Sequence, residues 1–217
     1  MQAFIKCFSG LLMIGLLLFA PAGTFSYWNA WLLIGALFVP MFLFGCYLLI
    51  KDRDLLKKRL NMNERESDQK VVIILSSLMF VAGFIAAALD FRFKLSHVPF
   101  WLVIAATIIF LSSYFLFAVV MKENAYLSRT VEIQENQTVI DTGLYGIVRH
   151  PMYFATVLLF CSMPLILGSW FAFVIFLLYP FILVKRIKNE EAVLLAGLPG
   201  YAEYMKKVKY RVIPFIW

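Results

Sequence analysis

Charged residues are scarce in this chain: they make up 15% of its 217 residues, whereas 63% are apolar and the mean hydropathy is +0.85. Soluble domains carry about 25% charged and about 45–50% apolar residues. No polar stretch is long enough to form a soluble domain with a core of its own. The composition therefore excludes an ordinary soluble protein and predicts one that crosses a membrane several times.

Histidine and cysteine are also few. The chain has only two His, His97 and His150, which excludes the histidine-rich di-iron boxes of membrane desaturases and hydroxylases and leaves no plausible zinc site. Cys7, Cys46 and Cys161 all lie in apolar segments, without the spacing of metal ligands or of a disulfide framework. We therefore expect reduced, structural thiols and no bound metal.

Acidic residues are outnumbered, and the formal net charge is +7. Such a charge can indicate a nucleic-acid partner, but in a membrane protein Lys and Arg mark the cytoplasmic loops. Every Lys and Arg except Arg92 and Lys94 falls at Lys6, in the loops 51–70 and 122–149, or in the C-terminal tail. We therefore expect no nucleic-acid partner and place both termini and both polar loops in the cytoplasm.

Long apolar runs are what the chain has in abundance. A helix needs about 20 residues to cross a core about 30 Å thick, and three of the first four runs reach that length. The first run is followed by Pro21-Ala22-Gly23, as in a signal peptide, but we expect a retained helix because only Lys6 stands at its start and a second span follows closely. The four runs are Ile5–Ala20, Trp28–Ile50, Val71–Leu89 and Pro99–Met121.

The fifth run, Pro151–Val184, has 34 uncharged residues and would measure about 51 Å as one helix. Because Gly168-Ser169 lies at its middle and favours a turn, we expect a helical hairpin, with kinks at Pro164 and Pro180. Each arm is short for a full span, which leaves open whether the tip reaches the far interface. The two arms are Pro151–Leu167 and Trp170–Val184.

The predicted fold is an all-α integral membrane protein with four transmembrane helices, the C-terminal hairpin (five to six membrane helices in total) and a cytoplasmic helical tail. In the tail, Lys185–Leu195 is expected to form a helix that leaves the membrane and to end at the break 197–200. A second short helix follows, with Tyr201 and Tyr204 on one face. We divide the chain into N-terminal transmembrane helices, 1–121, and a catalytic region, 122–217.

A cationic signature, Arg149-His150-Pro151, stands directly before the fifth apolar run. Proline suits the first position of a helix, and a helix N-terminus favours anions. Arg149 adds a fixed charge and up to five donors, so this signature is suited to hold a carboxylate at the membrane surface. The alternative is that Arg149 only extends to lipid headgroups.

Tyr145 and Tyr153 flank this signature, and Arg186 and Glu190 follow at i, i+4 on one helix face. In one interpretation the tyrosines are interfacial anchors and the charged pair is an exposed ion pair worth under about 1 kcal/mol. In the functional interpretation the pair points inward. Glu190 then binds hydroxyl or amino groups of a cofactor, and Arg186 binds an acidic group of the substrate.

The order of these residues is more specific than any of them alone. It reads Gly-x-Tyr-x-x-x-Arg-His-Pro-x-Tyr at 143–153, then the hairpin, then Arg-x-x-x-Glu-Glu at 186–191, Tyr-x-x-Tyr at 201–204 and Arg-x-x-Pro at 211–214. Over about Asn124–Pro214 this order resembles the C-terminal catalytic half of the isoprenylcysteine carboxyl methyltransferase family. A related motif occurs in membrane phospholipid methyltransferases.

The resemblance implies an enzyme that transfers a methyl group from S-adenosylmethionine, leaving S-adenosylhomocysteine, to a lipidic acceptor, foremost the carboxylate of a prenylcysteine-like substrate. It also implies a cytoplasmic cofactor pocket that the tail closes, that opens sideways to the bilayer and that uses no metal. Arg186 would bind the acceptor carboxylate, with help from Arg149. The implied cofactor-binding residues are Gln134, Gln137, Thr138, Val139, Ile140, Tyr145, His150, Pro151, Met152, Tyr153, Glu190 and Glu191.

Some features depart from the family pattern or indicate other activities. Gln137-Thr138 stands where eukaryotic members often have His-Thr, and the break 197–200 replaces Phe-Gly followed by acidic residues.

The ending 209–217 also resembles that of NADPH-dependent membrane sterol and steroid reductases, although the residues around Tyr153 lack their Asn and Gly-Asp. Phospholipid N-methylation and a non-enzymatic scaffold or transporter are further alternatives, and the scarcity of polar residues in the central helices argues against transport.

The short chain and compact loops are typical of a prokaryotic inner-membrane protein, where prenylated protein C-termini are not expected. We therefore expect a small prenylated or lipidic carboxylate, thiol or amine as the acceptor. Membrane lipids surround the protein, and no obligate protein partner is evident from the sequence.

Overall fold

The structure is a computed structural model that describes residues 2–51, 67–124, 126–127 and 133–217. In these ranges the chain forms α-helices and one short 3-10 turn, Gly143–Gly146, and no β-strand. The helices are α1 (Gln2–Ala22), α2 (Trp28–Lys51), α3 (Ser67–Phe93), α4 (Phe100–Glu123), α5 (Pro151–Ile166), α6 (Trp170–Phe176), α7 (Tyr179–Gly197) and α8 (Tyr201–Lys207).

Five apolar stretches of the described chain are long enough to cross a membrane. α6 and α7 count as one of them, because only Leu177 and Leu178 separate the two helices. α5 is shorter, with 16 residues and a length of about 24 Å. The predicted all-α integral membrane fold, with five to six membrane helices, is confirmed. The five stretches are Ile5–Ala22, Trp28–Lys51, Gln69–Phe93, Phe100–Glu123 and Trp170–Gly197.

The helices pack through close apolar contacts. α4 and α5 form the most extensive pair, while α3 packs against α1, α6 and α7. The ring of Phe176 lies directly over Gly83, so closely that a Cβ at this position would overlap it. Phe176 is fully buried and makes edge-to-face contact with Phe80 at 5.3 Å between ring centroids. Small residues that let helices approach are typical of packing within membranes.

The predicted turn of the hairpin lies at Gly168-Ser169, where Gly168 has a φ of +78° that suits glycine. Polar groups from the neighbouring helices hold the tip. The Tyr27 hydroxyl donates to the Leu167 carbonyl at 2.6 Å, and the Asn29 amide donates to the Ile166 carbonyl at 2.7 Å. The tip therefore reaches the same end of the bundle as the α1–α2 connection.

The second arm differs from its prediction. It breaks at Leu177-Leu178, directly before Tyr179-Pro180, as the prediction of a kink at Pro180 requires. It does not end at Val184, however, because α7 runs without interruption to Gly197. The separate tail helix predicted over Lys185–Leu195 is the polar half of α7. The error arose because the change from apolar to charged residues at Lys185 alters hydropathy without interrupting the helical backbone.

Candidate functional site

A pocket lies where α4 ends and α5 begins, and α7 and α8 complete its wall. The residues predicted to act together therefore come together from separate parts of the chain. Those that line the pocket are Gln137, Thr138, Val139, Ile140, Tyr145, Arg149, His150, Met152, Tyr153, Arg186 and Glu190.

Three residues of the predicted set lie beside the pocket rather than in its wall. Gln134 supports the connection between α4 and the 3-10 turn. Its side-chain amide donates to the Tyr126 carbonyl at 2.5 Å, and its backbone N–H donates to the Gln137 side chain at 2.9 Å. Pro151 is buried as the first residue of α5. Glu191 is buried behind the wall, with its side chain 4% exposed.

The 3-10 turn that carries Tyr145 is held by Glu123, the last residue of α4. The Glu123 carboxylate accepts a hydrogen bond from the Leu144 N–H at 2.9 Å and lies against Gly143, where it occupies the space of a Cβ. Gly143 has a φ of +55°, which side chains disfavour. From the other side, the Tyr204 hydroxyl donates to the Tyr145 carbonyl at 2.7 Å. The turn is thus fixed between α4 and α8.

Glu191 gathers three basic side chains. Its carboxylate accepts hydrogen bonds from Arg149 Nε and Arg211 Nε, each at 2.8 Å, and lies 3.2 Å from His150 Nε2. Arg149 also donates to the Val208 carbonyl at 2.7 Å. These contacts fasten the C-terminal segment (residues 198–217) to the start of α5. The possibility that Arg149 merely extends to headgroups is excluded, because its side chain is 4% exposed.

The backbone adds to this attachment. The N–H of Arg149 donates to the Tyr210 carbonyl at 2.9 Å, and the N–H of His150 donates to the Arg211 carbonyl at 2.7 Å. Groups at a helix start have no partner within the helix and must find one elsewhere. Here the C-terminal segment supplies these partners. The conformation at the start of α5 therefore depends on the C-terminal segment lying against the pocket, and that position depends in turn on the start of α5.

Tyr153 joins Glu190 to Arg186. Its hydroxyl donates to Glu190 Oε2 at 2.5 Å and accepts from Arg186 Nε at 2.9 Å, and the guanidinium carbon lies 5.9 Å from the centre of its ring. Tyr153 is buried, so it is not a surface anchor. Arg186 and Glu190 are likewise not an exposed ion pair, since both line the pocket and meet through the phenol.

Tyr201 contributes a hydroxyl that is free to bind a ligand. The residue lines the pocket and is 4% exposed, and its hydroxyl has no hydrogen-bond partner within the described part of the chain. Burial raises the pKa of Tyr201 well above its usual value near 10, so the group remains a donor at neutral pH. A buried donor without a partner costs free energy unless a ligand supplies the acceptor.

Seven residues that line the pocket are not among the site residues that the sequence predicts. For two of them the sequence gave a signal, because Tyr201 and Tyr204 were expected on one helix face. Leu194 also continues the face of Arg186 and Glu190 at i+4. The others enter the pocket only through the folding of the loops, which no local pattern reveals. The seven are Asn124, Tyr126, Leu127, Leu194, Leu198, Tyr201 and Tyr204.

The chemical character of the pocket is mixed. It combines the cations Arg149 and Arg186 with the anion Glu190, several tyrosines, and the apolar side chains of Val139 and Leu194. Such a surface suits a ligand that carries both charges and an apolar part. Among the described residues, no three His, Cys, Asp or Glu side chains are grouped as metal ligands.

One comparison with known proteins bears on this pocket. The model of the isoprenylcysteine carboxyl methyltransferase (ICMT) family matches residues 103–196. The matched stretch includes most of α4 and nearly all of the hairpin, and with them Tyr153, Arg186 and Glu190. No curated protein matches the chain. The match supports the family resemblance seen in the sequence, over this stretch of the chain.

Proposed function

We propose that this protein is a membrane methyltransferase related to the ICMT family, whose model matches residues 103–196, and that it methylates a lipidic acceptor with S-adenosylmethionine. The acceptor group we propose is a carboxylate of the prenylcysteine type. The observation that carries this proposal is the bridging phenol of Tyr153, which hydrogen bonds both Glu190 and Arg186 within one pocket. It sets an anion suited to the cofactor beside a cation suited to the acceptor.

The residues of the pocket fit the cofactor. S-adenosylmethionine carries an amino group, a carboxylate, ribose hydroxyls and an adenine, and when bound it supplies a methyl group already activated on a cationic sulfonium. Glu190 would accept from hydroxyl or amino groups, and the free hydroxyl of Tyr201 would donate to a polar atom. The rings of Tyr145 and Tyr153 favour a cation nearby. Gln137, Thr138, Val139, Ile140, His150 and Met152 complete the proposed cofactor wall.

Arg186 is the residue that we assign to the acceptor carboxylate. A carboxylate is ionised near neutral pH, so it needs no general base before it attacks the methyl carbon. What the protein must provide is alignment of the two reactants and removal of water. Arg186 Nε is fixed on Tyr153, so the guanidinium is held at the pocket wall where it can orient the carboxylate.

Arg149 and Glu191 we assign to positioning. Both Nε and Nη1 of Arg149 are engaged by Glu191 and by carbonyls of the C-terminal segment. The Glu191 carboxylate in turn contacts the side chains of Arg149, His150 and Arg211. Together they keep the C-terminal segment closed over the cofactor, and Pro151 and Gln134 support the start of α5 and the loop.

We place the pocket at the cytoplasmic face, because the basic residues concentrate at this end of the helices. S-adenosylmethionine is available there. The apolar spans α5 and α6–α7 carry the pocket at their ends, so a lipidic acceptor can reach it from the bilayer. On these grounds we propose a membrane enzyme with both termini in the cytoplasm, and the compact loops favour a prokaryotic inner membrane.

Two measurements on detergent-purified protein test the proposal. The first is calorimetric titration with S-adenosylhomocysteine and, separately, with NADPH. The second is transfer of a labelled methyl group from S-adenosylmethionine to N-acetyl-S-farnesylcysteine, with phosphatidylethanolamine as the alternative acceptor. We expect micromolar binding of S-adenosylhomocysteine only, and a labelled methyl ester. Binding of NADPH alone would favour a reductase, and labelling of the amine would favour phospholipid N-methylation.

A further inference from the structure

A buried amide from the N-terminal helices contacts the proposed acceptor residue. Gln69 lies at the beginning of α3 and is fully buried. Its side-chain oxygen accepts from Arg186 Nη1 at 3.4 Å, and its amide nitrogen donates to the Arg186 backbone carbonyl at 3.1 Å. Gln69 lies outside residues 103–196, the part of the chain that the family model matches.

Both ends of this amide are thus used on a single residue. A polar side chain is costly to bury unless its groups are hydrogen bonded. Gln69 avoids that cost because both its oxygen and its nitrogen form hydrogen bonds with Arg186. The amide connects the backbone of Arg186 to its guanidinium, while Tyr153 holds Nε from another direction. An arginine side chain is long and flexible, and fixing it beforehand lowers the entropy cost of binding an anion.

We propose that Gln69 is a positioning residue, which orients the guanidinium of Arg186 toward the anionic group of the acceptor. The inference rests on the proposed function of Arg186. It gives α3 a part in the reaction, since this helix packs on α7 and brings the amide to the site. The N-terminal helices then determine the geometry of acceptor binding and leave the cofactor contacts unchanged.

The first test is the variant Gln69→Met in the full-length protein. Methionine keeps an unbranched side chain of similar length and removes both hydrogen-bonding groups. Because hydrogen bonds to charged groups are worth roughly tenfold or more in an equilibrium constant, we expect KM for N-acetyl-S-farnesylcysteine to rise about tenfold. The Kd of S-adenosylhomocysteine should stay within about twofold of wild type. The matched control is Ser77→Ala, which removes an exposed hydroxyl from the same helix.

A double-mutant cycle separates positioning from a general structural effect. In an Arg186→Lys background the Nη1 that Gln69 binds is absent and only the bond to the backbone carbonyl remains, so Gln69→Met should raise KM by a smaller factor than in the wild-type background. If Gln69→Met prevents folding, Gln69→Glu serves instead: it keeps the accepting oxygen, but its charge competes with the acceptor for Arg186, and KM should rise again. An unchanged KM in a folded variant that binds S-adenosylhomocysteine overturns the inference.

The outcomes distinguish this inference from the proposed function. Wild-type protein that binds no S-adenosylhomocysteine overturns the function itself. Wild-type protein that binds it but methylates no prenylcysteine carboxylate overturns the proposed acceptor and, with it, the role of Gln69. If the wild type binds and methylates and the Gln69 variants equal it, only the role of Gln69 is wrong.

Discussion

The phenol of Tyr153 donates its proton to the carboxylate of Glu190 over 2.5 Å. The same oxygen accepts from Arg186 Nε at 2.9 Å, so neither charged residue is placed independently of the other. A change at this one hydroxyl must therefore affect both sides of the pocket. Five variants test this and the other contacts of the site.

The variant Tyr153→Phe should weaken cofactor and acceptor binding together. Glu190 and Arg186 each lose a hydrogen bond, and such charge-assisted bonds are worth about 1.5–3 kcal/mol. We expect a rise of roughly tenfold in both the Kd of S-adenosylhomocysteine and the KM of the prenylcysteine probe. The matched control is Tyr114→Phe, which removes a hydroxyl bound to the Leu37 carbonyl away from the pocket. A change in only one constant would contradict the coupling through Tyr153.

The variant Glu191→Gln should release the C-terminal segment. Breaking a buried ion pair from one side costs about 3–5 kcal/mol, and here Arg149 and Arg211 both lose their anion. We expect a clear drop in the midpoint of thermal unfolding and faster cleavage by trypsin after the basic residues of 206–211. The control Asp141→Asn weakens an exposed pair with Lys207, which is worth under about 1 kcal/mol, and it keeps every trypsin site of the segment. Equal trypsin sensitivity of the two variants would argue against the role of Glu191.

The variant Gly143→Ala should disturb the turn that carries Tyr145. The φ of +55° becomes strained, and the new methyl group meets the Glu123 carboxylate. Strain of this kind costs about 1–3 kcal/mol, and we expect the affinity for S-adenosylhomocysteine to fall roughly tenfold. Gly45→Ala in α2 is the control, because nothing lies within 4 Å of its added Cβ. Full affinity in the Gly143 variant would show that this turn does not shape the cofactor pocket.

Two neighbouring tyrosines should respond in opposite ways to loss of their hydroxyls. In Tyr201→Phe, the ligand-free protein loses a buried donor that has no partner among the described residues, so its stability should be unchanged or slightly higher. Its affinity for S-adenosylhomocysteine should fall about fivefold to tenfold. In Tyr204→Phe, the bond to the Tyr145 carbonyl is lost, so the ligand-free protein should be less stable by about 1 kcal/mol. Thermal unfolding with and without ligand measures both effects, and a Tyr201 variant with unaltered affinity would contradict the ligand contact.

Most of the membrane fold can be predicted from the sequence, because the free energy of moving a side chain into lipid depends on that side chain and its near neighbours in the chain. The apolar runs indicate α1 to α6, and Gly168-Ser169 indicates the hairpin turn. Hydropathy is less informative at Lys185, since the backbone of α7 continues where the apolar side chains stop. Helix ends depend on breakers such as Gly197, and those were visible in the sequence.

The site was predicted less completely than the fold. Glu190 and Glu191 stand together in the sequence, yet neighbouring residues of a helix point about 100° apart. One therefore lines the pocket, and the other is buried against Arg149 and Arg211. Gln69 gave no signal, because a single amide at the end of an apolar run looks like any interfacial polar residue. Its role depends on how α3 packs against α7.

The hydrogen bonds at the hairpin tip also fix the distance between the tip and the pocket at the opposite end of the second arm. Asp90 accepts a hydrogen bond from the Ser169 hydroxyl at 2.5 Å. Arg186 lies roughly 25 Å from Ser169 along the axis of α6 and α7. The length of the second arm, counted from Ser169, therefore sets the position of Arg186 along the helix axis. One residue inserted into α6 would turn Arg186 by about 100° and raise it by about 1.5 Å. The length of this arm is therefore as much a part of the site as the side chains that it carries.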